Sequence, residues 1–80
     1  MIRYEHVYSD SHVIEYRIFK NGEFIGTATI YPQFKEIRIS IMKSEVTVID
    51  GEIKEELSYI HEDDRELVTR IAKELFERHF

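Results

Sequence analysis

Apolar and polar residues alternate along the first half of the chain. Ile2, Tyr4, His6 and Tyr8 fall on one side of an extended segment, with Arg3, Glu5 and Val7 on the other. That period of two marks a strand with one face turned to a core. Ser9-Asp10-Ser11 carries turn chemistry, and the alternation resumes over residues 12–19 with Ile14, Tyr16 and Ile18 together. Residues 23–31 present Phe24, Gly26, Ala28 and Ile30, after which Tyr31-Pro32-Gln33-Phe34 turns the chain. Residues 35–42 present Ile37, Ile39 and Ile41 against Arg38 and Ser40, and residues 45–49 present Val46 and Val48.

Asn21-Gly22 marks a hairpin with two competing registers. A two-residue turn sets Ile18 opposite Ile25 and Tyr16 opposite Thr27, mixing apolar and polar positions on each face. A three-residue loop, Lys20-Asn21-Gly22, sets Ile18 opposite Phe24, Tyr16 opposite Gly26, Ile14 opposite Ala28 and His12 opposite Ile30. A slip of one residue exchanges the faces, so the apolar pattern selects the three-residue loop. The polar face then carries Glu15, Thr27, Ser40 and Thr47 as one cross-sheet row, with Arg17, Thr29 and Arg38 beside it.

Residues 50–62 read two ways. Asp50-Gly51 after Val46-Thr47-Val48-Ile49 predicts a further hairpin and a sixth strand with Ile53, Leu57 and Tyr59 inward. Ile53, Leu57 and Ile60 also recur at helical spacing, and the strand is the preferred reading. The last segment is a helix from about residue 64 nearly to Phe80. Leu67, Val68, Ile71, Ala72, Leu75 and Phe76 form one stripe opposite Arg70, Lys73, Glu74 and Glu77. Asp63 and Glu66 have the spacing of a capping box, and acids crowd the first turn, where the helix dipole favours them.

These elements predict one α+β domain over residues 1–80, an antiparallel β-meander of five or six strands with one C-terminal amphipathic helix on one face. Five or six strands at about 4.8 Å spacing make a sheet roughly 24–29 Å wide, whereas a helix with side chains is only about 10–12 Å across. One helix therefore leaves part of the face bearing Ile2, Tyr4, Tyr16, Phe24, Ile37, Ile39, Val46 and Val48 to be covered otherwise. The expected solutions are a sheet curled around the helix, or self-association as a homodimer or with another protein.

Composition narrows the class. Hydrophobic residues make up 42% and charged residues 34% of the chain, which suits a folded domain rather than a disordered segment. There is no cysteine, so neither a disulfide framework nor a thiolate metal site exists. The start, Met1-Ile2-Arg3-Tyr4-Glu5-His6, lacks the apolar run of a signal peptide, and no stretch reaches membrane-spanning length; the expected location is cytoplasmic. The net charge of −5 is concentrated. Asp50, Glu52, Glu55, Glu56, Glu62, Asp63, Asp64 and Glu66 face only Lys54 and Arg65 within residues 50–66.

Candidate chemistry is sparse. His6, His12 and Asp10 converge on the first turn and would suit zinc, but no HExxH or comparable pair supports them, and surface histidines are the commoner outcome. None of the five serines sits in a Gly-x-Ser-x-Gly elbow, and Gly22, Gly26 and Gly51 are too dispersed for a phosphate loop. No catalytic residue and no cofactor is assigned. A sheet with aromatics can stack single-stranded nucleic acid, yet a sequence pI near 5.3 is the wrong electrostatic footprint. The expectation is a non-enzymatic protein-interaction domain, a regulator or inhibitor that meets a basic protein partner through Asp50, Glu52, Glu55, Glu56, Glu62, Asp63 and Asp64. The alternative is a single-stranded nucleic-acid-binding sheet. Against the acidic docking surface stands a plainer account, in which these charges protect a sheet edge and start a helix.

Overall fold

In the computed structural model, which describes all eighty residues from Met1 to Phe80, Asn21 and Gly22 both take positive φ, 51° and 83°. Asp50 and Gly51 do the same at 54° and 87°. Positive φ at both central residues is the two-residue geometry whose twist matches the strands it joins. The strands are β1 (Ile2–Ser9), β2 (Ile14–Lys20), β3 (Glu23–Tyr31), β4 (Glu36–Ile41), β5 (Ser44–Ile49) and β6 (Glu52–Ile53). They form one antiparallel sheet in the order β1-β2-β3-β4-β5-β6. A single helix, α1 (Arg65–His79), follows. The architecture is the α+β meander that the alternation predicts.

The second hairpin corrects the expected register. Lys20 pairs with Glu23, so the turn is the two-residue one and not Lys20-Asn21-Gly22. Its apparent defect, mixed faces, is removed inside β3, where Ile25 is an extra, bulged residue. Phe19 pairs with Phe24, and Ile18 with Gly26. From there Tyr16 meets Ala28 and Ile14 meets Ile30. A bulge restores the apolar face as effectively as a longer loop would. It also sends Phe24 to the outer face, 54% exposed and edge-on to Phe19 with ring centres 5.8 Å apart. The expected core position of Phe24 is therefore wrong. A second bulge, at Val7, turns Tyr8 away from Ile2, Tyr4 and His6 and sets it opposite Glu15.

The outer face is polar as expected, but its rows differ. Tyr8, Glu15, Thr29, Arg38 and Thr47 form one, and Glu5, Arg17, Thr27, Ser40 and Glu45 the next. Each outer arginine has a partner. Arg3 lies 4.4 Å over the Phe19 ring, Arg17 reaches Glu5 at 3.3 Å, and Arg38 meets Glu36 at 2.6 Å.

One helix does cover the inner face. Val68, Ile71 and Leu75 are fully buried against Ile18, Ile30, Ile37, Ile39, Ile41 and Val48. Each such side chain contributes about 1.5–3 kcal/mol relative to exposure, which stabilises a fifteen-residue helix that would be marginal alone. Width is handled at the flanks. Toward β1 the tyrosines reach up to the last helical turns. Tyr4 donates to Glu74 Oε1 at 2.6 Å, Arg78 lies 4.9 Å over the Tyr4 ring, and the Tyr16 hydroxyl meets His79 Nε2 at 2.9 Å. Burial and the Glu74 hydrogen bond hold the Tyr4 phenol above its usual range, while the same bond holds the Glu74 carboxyl below its own. Toward β6, Ile53, Ile60 and Phe76 pack on the core. Of the residues expected on the face that one helix would cover only in part, Tyr16, Ile37, Ile39, Val46 and Val48 are buried, and Ile2 and Tyr4 are half-buried. The inner face is covered within one chain except at the β1 margin, where Ile2 and Tyr4 are half-buried and His6 is exposed.

Two glycines separate conformation from space. Gly22 needs positive φ but has nothing near the position of an added Cβ, whereas a Cβ on Gly26 would strike the Ser40 carbonyl and come within 2.7 Å of Ile41 Cα. Gly22→Ala should cost about 1 kcal/mol and Gly26→Ala more than about 2 kcal/mol, measured by urea denaturation. Equal costs would mean that β3 and β4 are not so closely apposed. Burial, followed by the Arg78 charge, holds the His79 imidazole below its ordinary pKa. The unfolded chain therefore binds the proton more readily, so His79 contributes stability that is present above about pH 6.5 and lost as pH falls from there through the lowered value of the folded state. The denaturation midpoint should drop from about pH 7 to pH 5 in the parent and drop less in His79→Gln.

Candidate functional site

The outer edge of β5 needs partners for every second residue, and residues 52–60 supply them in three ways. β6 pairs Glu52 with Ile49 and Ile53 with Val48. At Thr47, Lys54 N donates to the carbonyl at 2.9 Å, while the Thr47 N–H donates to Ser58 Oγ at 2.9 Å. Ser58 Oγ in turn donates to Lys54 O at 2.7 Å, so a hydroxyl stands where a strand would place a carbonyl. At Glu45 the backbone exchanges two 2.8 Å bonds with Tyr59. Between these anchors the chain buckles into one 3₁₀ turn, Glu55–Leu57.

The buckle corrects the sixth strand. It ends after two residues, and Leu57 and Tyr59 do not point inward. Leu57 is 60% exposed and Tyr59 64%. Leu57 forms one wall of a groove of about 280 Å³ on the outer face, whose other walls are Thr27, Thr29, Arg38, Ser40 and Thr47. Tyr59 stands opposite Glu45 on that side.

The acids of this edge divide into two kinds. Asp64 is 6% exposed and accepts from Lys43 N at 3.0 Å and Ser44 Oγ at 2.7 Å. His61 N donates to the same Ser44 oxygen at 2.9 Å. Asp64 thus ties the helix start to the β4–β5 turn and presents no charge to a partner. The expected capping box is not formed. A 3₁₀ turn, Glu62–Asp64, leads into α1, His61 Nδ1 accepts from Asp63 N at 3.2 Å, and the Asp64 side chain makes no cap bond to the helix. Serine, histidine and aspartate do meet here, but in roles unlike a hydrolase triad. Ser44 is 2% exposed, its proton goes to Asp64, and the imidazole of His61 faces the Asp63 amide.

The remaining acids are at the surface. Glu55 holds Arg65 through two bonds of 2.8 and 3.0 Å, which keeps the Glu55 carboxyl below the usual range. Glu52 lies 3.2 Å from Lys54, Asp50 4.0 Å from Lys35, and Asp63 3.6 Å from His61. Glu56 and Glu62 are exposed and make no ion pair.

The other candidates disperse. His6 packs edge-on to Tyr16, and His12 Nδ1 meets Ser11 Oγ at 2.9 Å. Asp10 accepts from His12 N, Val13 N and the Tyr8 hydroxyl at 2.7, 2.9 and 2.7 Å; these bonds, the His12 amide foremost, hold its carboxyl low. No three His, Asp or Glu side chains are placed to hold a metal ion together. No helix is long and apolar enough to cross a membrane.

No protein-family model, curated protein or solved structure matches the chain.

The edge therefore stands on its own geometry. Sequence reasoning found its acids but missed its two apolar side chains, because Leu57 and Tyr59 fit a strand register that Ser58 interrupts. Removing the Asp64 carboxylate leaves a buried hydroxyl and an amide without their acceptor. Asp64→Ala should cost about 1–3 kcal/mol, while Glu62→Ala should stay within about 0.5 kcal/mol, both by thermal or urea unfolding. Comparable costs would place Asp64 at the surface.

Proposed function

We propose that this protein is a non-enzymatic interaction domain that docks a basic protein segment on the β5–β6 edge. The observation that carries this reading is the exposure of Leu57 and Tyr59 amid acids. A leucine and a tyrosine held out of the core by backbone hydrogen bonds, beside a groove and among unpaired carboxylates, match the make-up of an interface with apolar anchors and a polar rim. Glu56 and Glu62, with Glu52 and Asp63, supply the attraction that steers a cationic partner. The partner's recognition element is a short stretch carrying lysine or arginine around an apolar side chain that enters the groove. Asp64 has no place in the docking surface, because its charge is spent inside the chain.

The nucleic-acid reading ranks second. The outer face has aromatics in Phe19, Phe24 and Tyr31, but its arginines are already engaged with Glu5, Glu36 and aromatic rings. A phosphate backbone would have to displace those partners and approach an acidic protein.

Peptides selected from a random display library test the reading. Selected binders should be rich in lysine and arginine around one apolar residue. Leu57→Ser and Tyr59→Ser should each weaken them by roughly tenfold or more, with unfolding midpoints unchanged. Joint reversal of Glu56 and Glu62 to lysine should weaken them and flatten their salt dependence. Binders indifferent to all four positions would sink the proposal. Micromolar binding of single-stranded DNA or RNA that is lost on Arg17→Glu or Arg38→Glu would promote the second reading instead.

A further inference from the structure

The two edges of the sheet are treated differently. β5 is closed by residues 52–60, but β1 has β2 on one side and no strand on the other. Asn21 N donates to Met1 O at 3.0 Å, and Ile2 lies opposite Lys20. In an antiparallel ladder, bonded and non-bonded pairs alternate. Met1, Arg3 and Glu5 therefore turn their backbone groups to β2, and Ile2, Tyr4 and His6 turn theirs to the open edge. Residues 2–6 form a regular run, since the bulge comes only at Val7. No proline interrupts it, and its charges, Arg3 and Glu5, lie on the outer face rather than across the edge.

We infer that this edge pairs with β1 of a second copy of the chain, antiparallel about a two-fold axis at Tyr4. In that register Ile2 meets the second copy's His6 and Tyr4 meets its Tyr4, so every outward donor and acceptor of Ile2, Tyr4 and His6 finds its counterpart. Arg3, over its own Phe19 ring, then lies opposite the second copy's Glu5, so each Glu5 carboxylate sits between Arg17 of its own chain, 3.3 Å away, and the second copy's Arg3. The Arg3–Glu5 pairs are non-hydrogen-bonded ones, in which side chains approach most closely. Met1, 89% exposed, and Val7, 44% exposed, likewise come opposite each other twice. Shifting the axis to Arg3 or Glu5 keeps the backbone pairing but sets arginine against arginine or glutamate against glutamate. Self-complementary charge thus selects both the occupant and the register. The result is a continuous twelve-stranded sheet, two copies of the six strands, that leaves both β5–β6 edges free. It does not depend on the docking reading above.

Sedimentation equilibrium at tens of micromolar should show a dimer. Arg3→Glu and Glu5→Arg, each creating like-charge pairs across the axis, should weaken it by roughly tenfold. The double variant, with the charges exchanged, should return to near the parent affinity. Far-ultraviolet circular dichroism of each variant at high dilution should show the parent fold. In a mixed sample of differently labelled copies, an isotope-filtered Overhauser cross-peak should link Arg3 Hα to Glu5 Hα, which face each other only in this register. A monomer throughout, a double variant no stronger than the singles, or a dimer lacking that cross-peak overturns the inference. Charge reversal at Glu56 and Glu62 should leave the dimer unchanged; its loss there would move the contact to the other edge and overturn it as well.

Discussion

A strand at the margin of a sheet carries amide and carbonyl groups that its neighbour cannot reach, and each must find water, another strand or a substitute. Most of what is distinctive here follows from how the β5 margin meets that requirement. A full sixth strand would have satisfied it with alternating residues and taken Leu57 and Tyr59 inward. The chain uses two residues of strand, one serine hydroxyl and one isolated bridge instead. The hydrogen bonding of β5 is complete, and the length left over is thrown outward as a turn. The exposed leucine, the groove beside it and the free carboxylates all derive from that substitution.

The second governing feature is the match between a narrow helix and a wide sheet. The centre is filled by branched aliphatics on β4 and β5 and by Val68, Ile71 and Leu75, while Gly26 and Ala28 keep β3 low beneath them. At the β1–β2 flank two tyrosines span from sheet to helix and end on Glu74 and His79. Aromatic reach takes the place of a second helix. The molecule measures 17 Å along its shortest axis, the depth of one sheet and one helix.

Much of the fold is legible in the sequence because period two and period 3.6 are strong signals over long segments. β3 runs over the expected residues, and the helix stripe from Leu67 to Phe76 is the buried one. What is not legible is local. A bulge leaves no mark in the alternation when its effect is to restore the alternation, so Ile25 disguised a two-residue turn as a three-residue loop. Val7 likewise concealed the outward position of Tyr8. For the site, charge was visible and burial was not. Asp64 and Asp63 are adjacent acids of similar appearance, yet Asp64 lies within reach of Ser44, twenty residues earlier in the chain, and no spacing rule announces that contact. Leu57 and Tyr59 were misplaced because a serine between them bonds to backbone, a choice that apolar patterning does not register.

The hydrogen bonds joining Tyr4 to Glu74 and Tyr16 to His79 span 70 and 63 residues, whereas every strand pairing joins neighbours in sequence. Synthesis therefore delivers the parts in an unequal order. Each hairpin can close as it leaves the ribosome, but α1, which completes the core, is translated after all six strands. At about 5–20 residues per second, the meander waits on the order of a second or more with its isoleucines and valines in water. A nascent chain in that interval is a half-roofed sheet, and the helix acts as a late-arriving lid whose delay sets how long chaperones have to shield it.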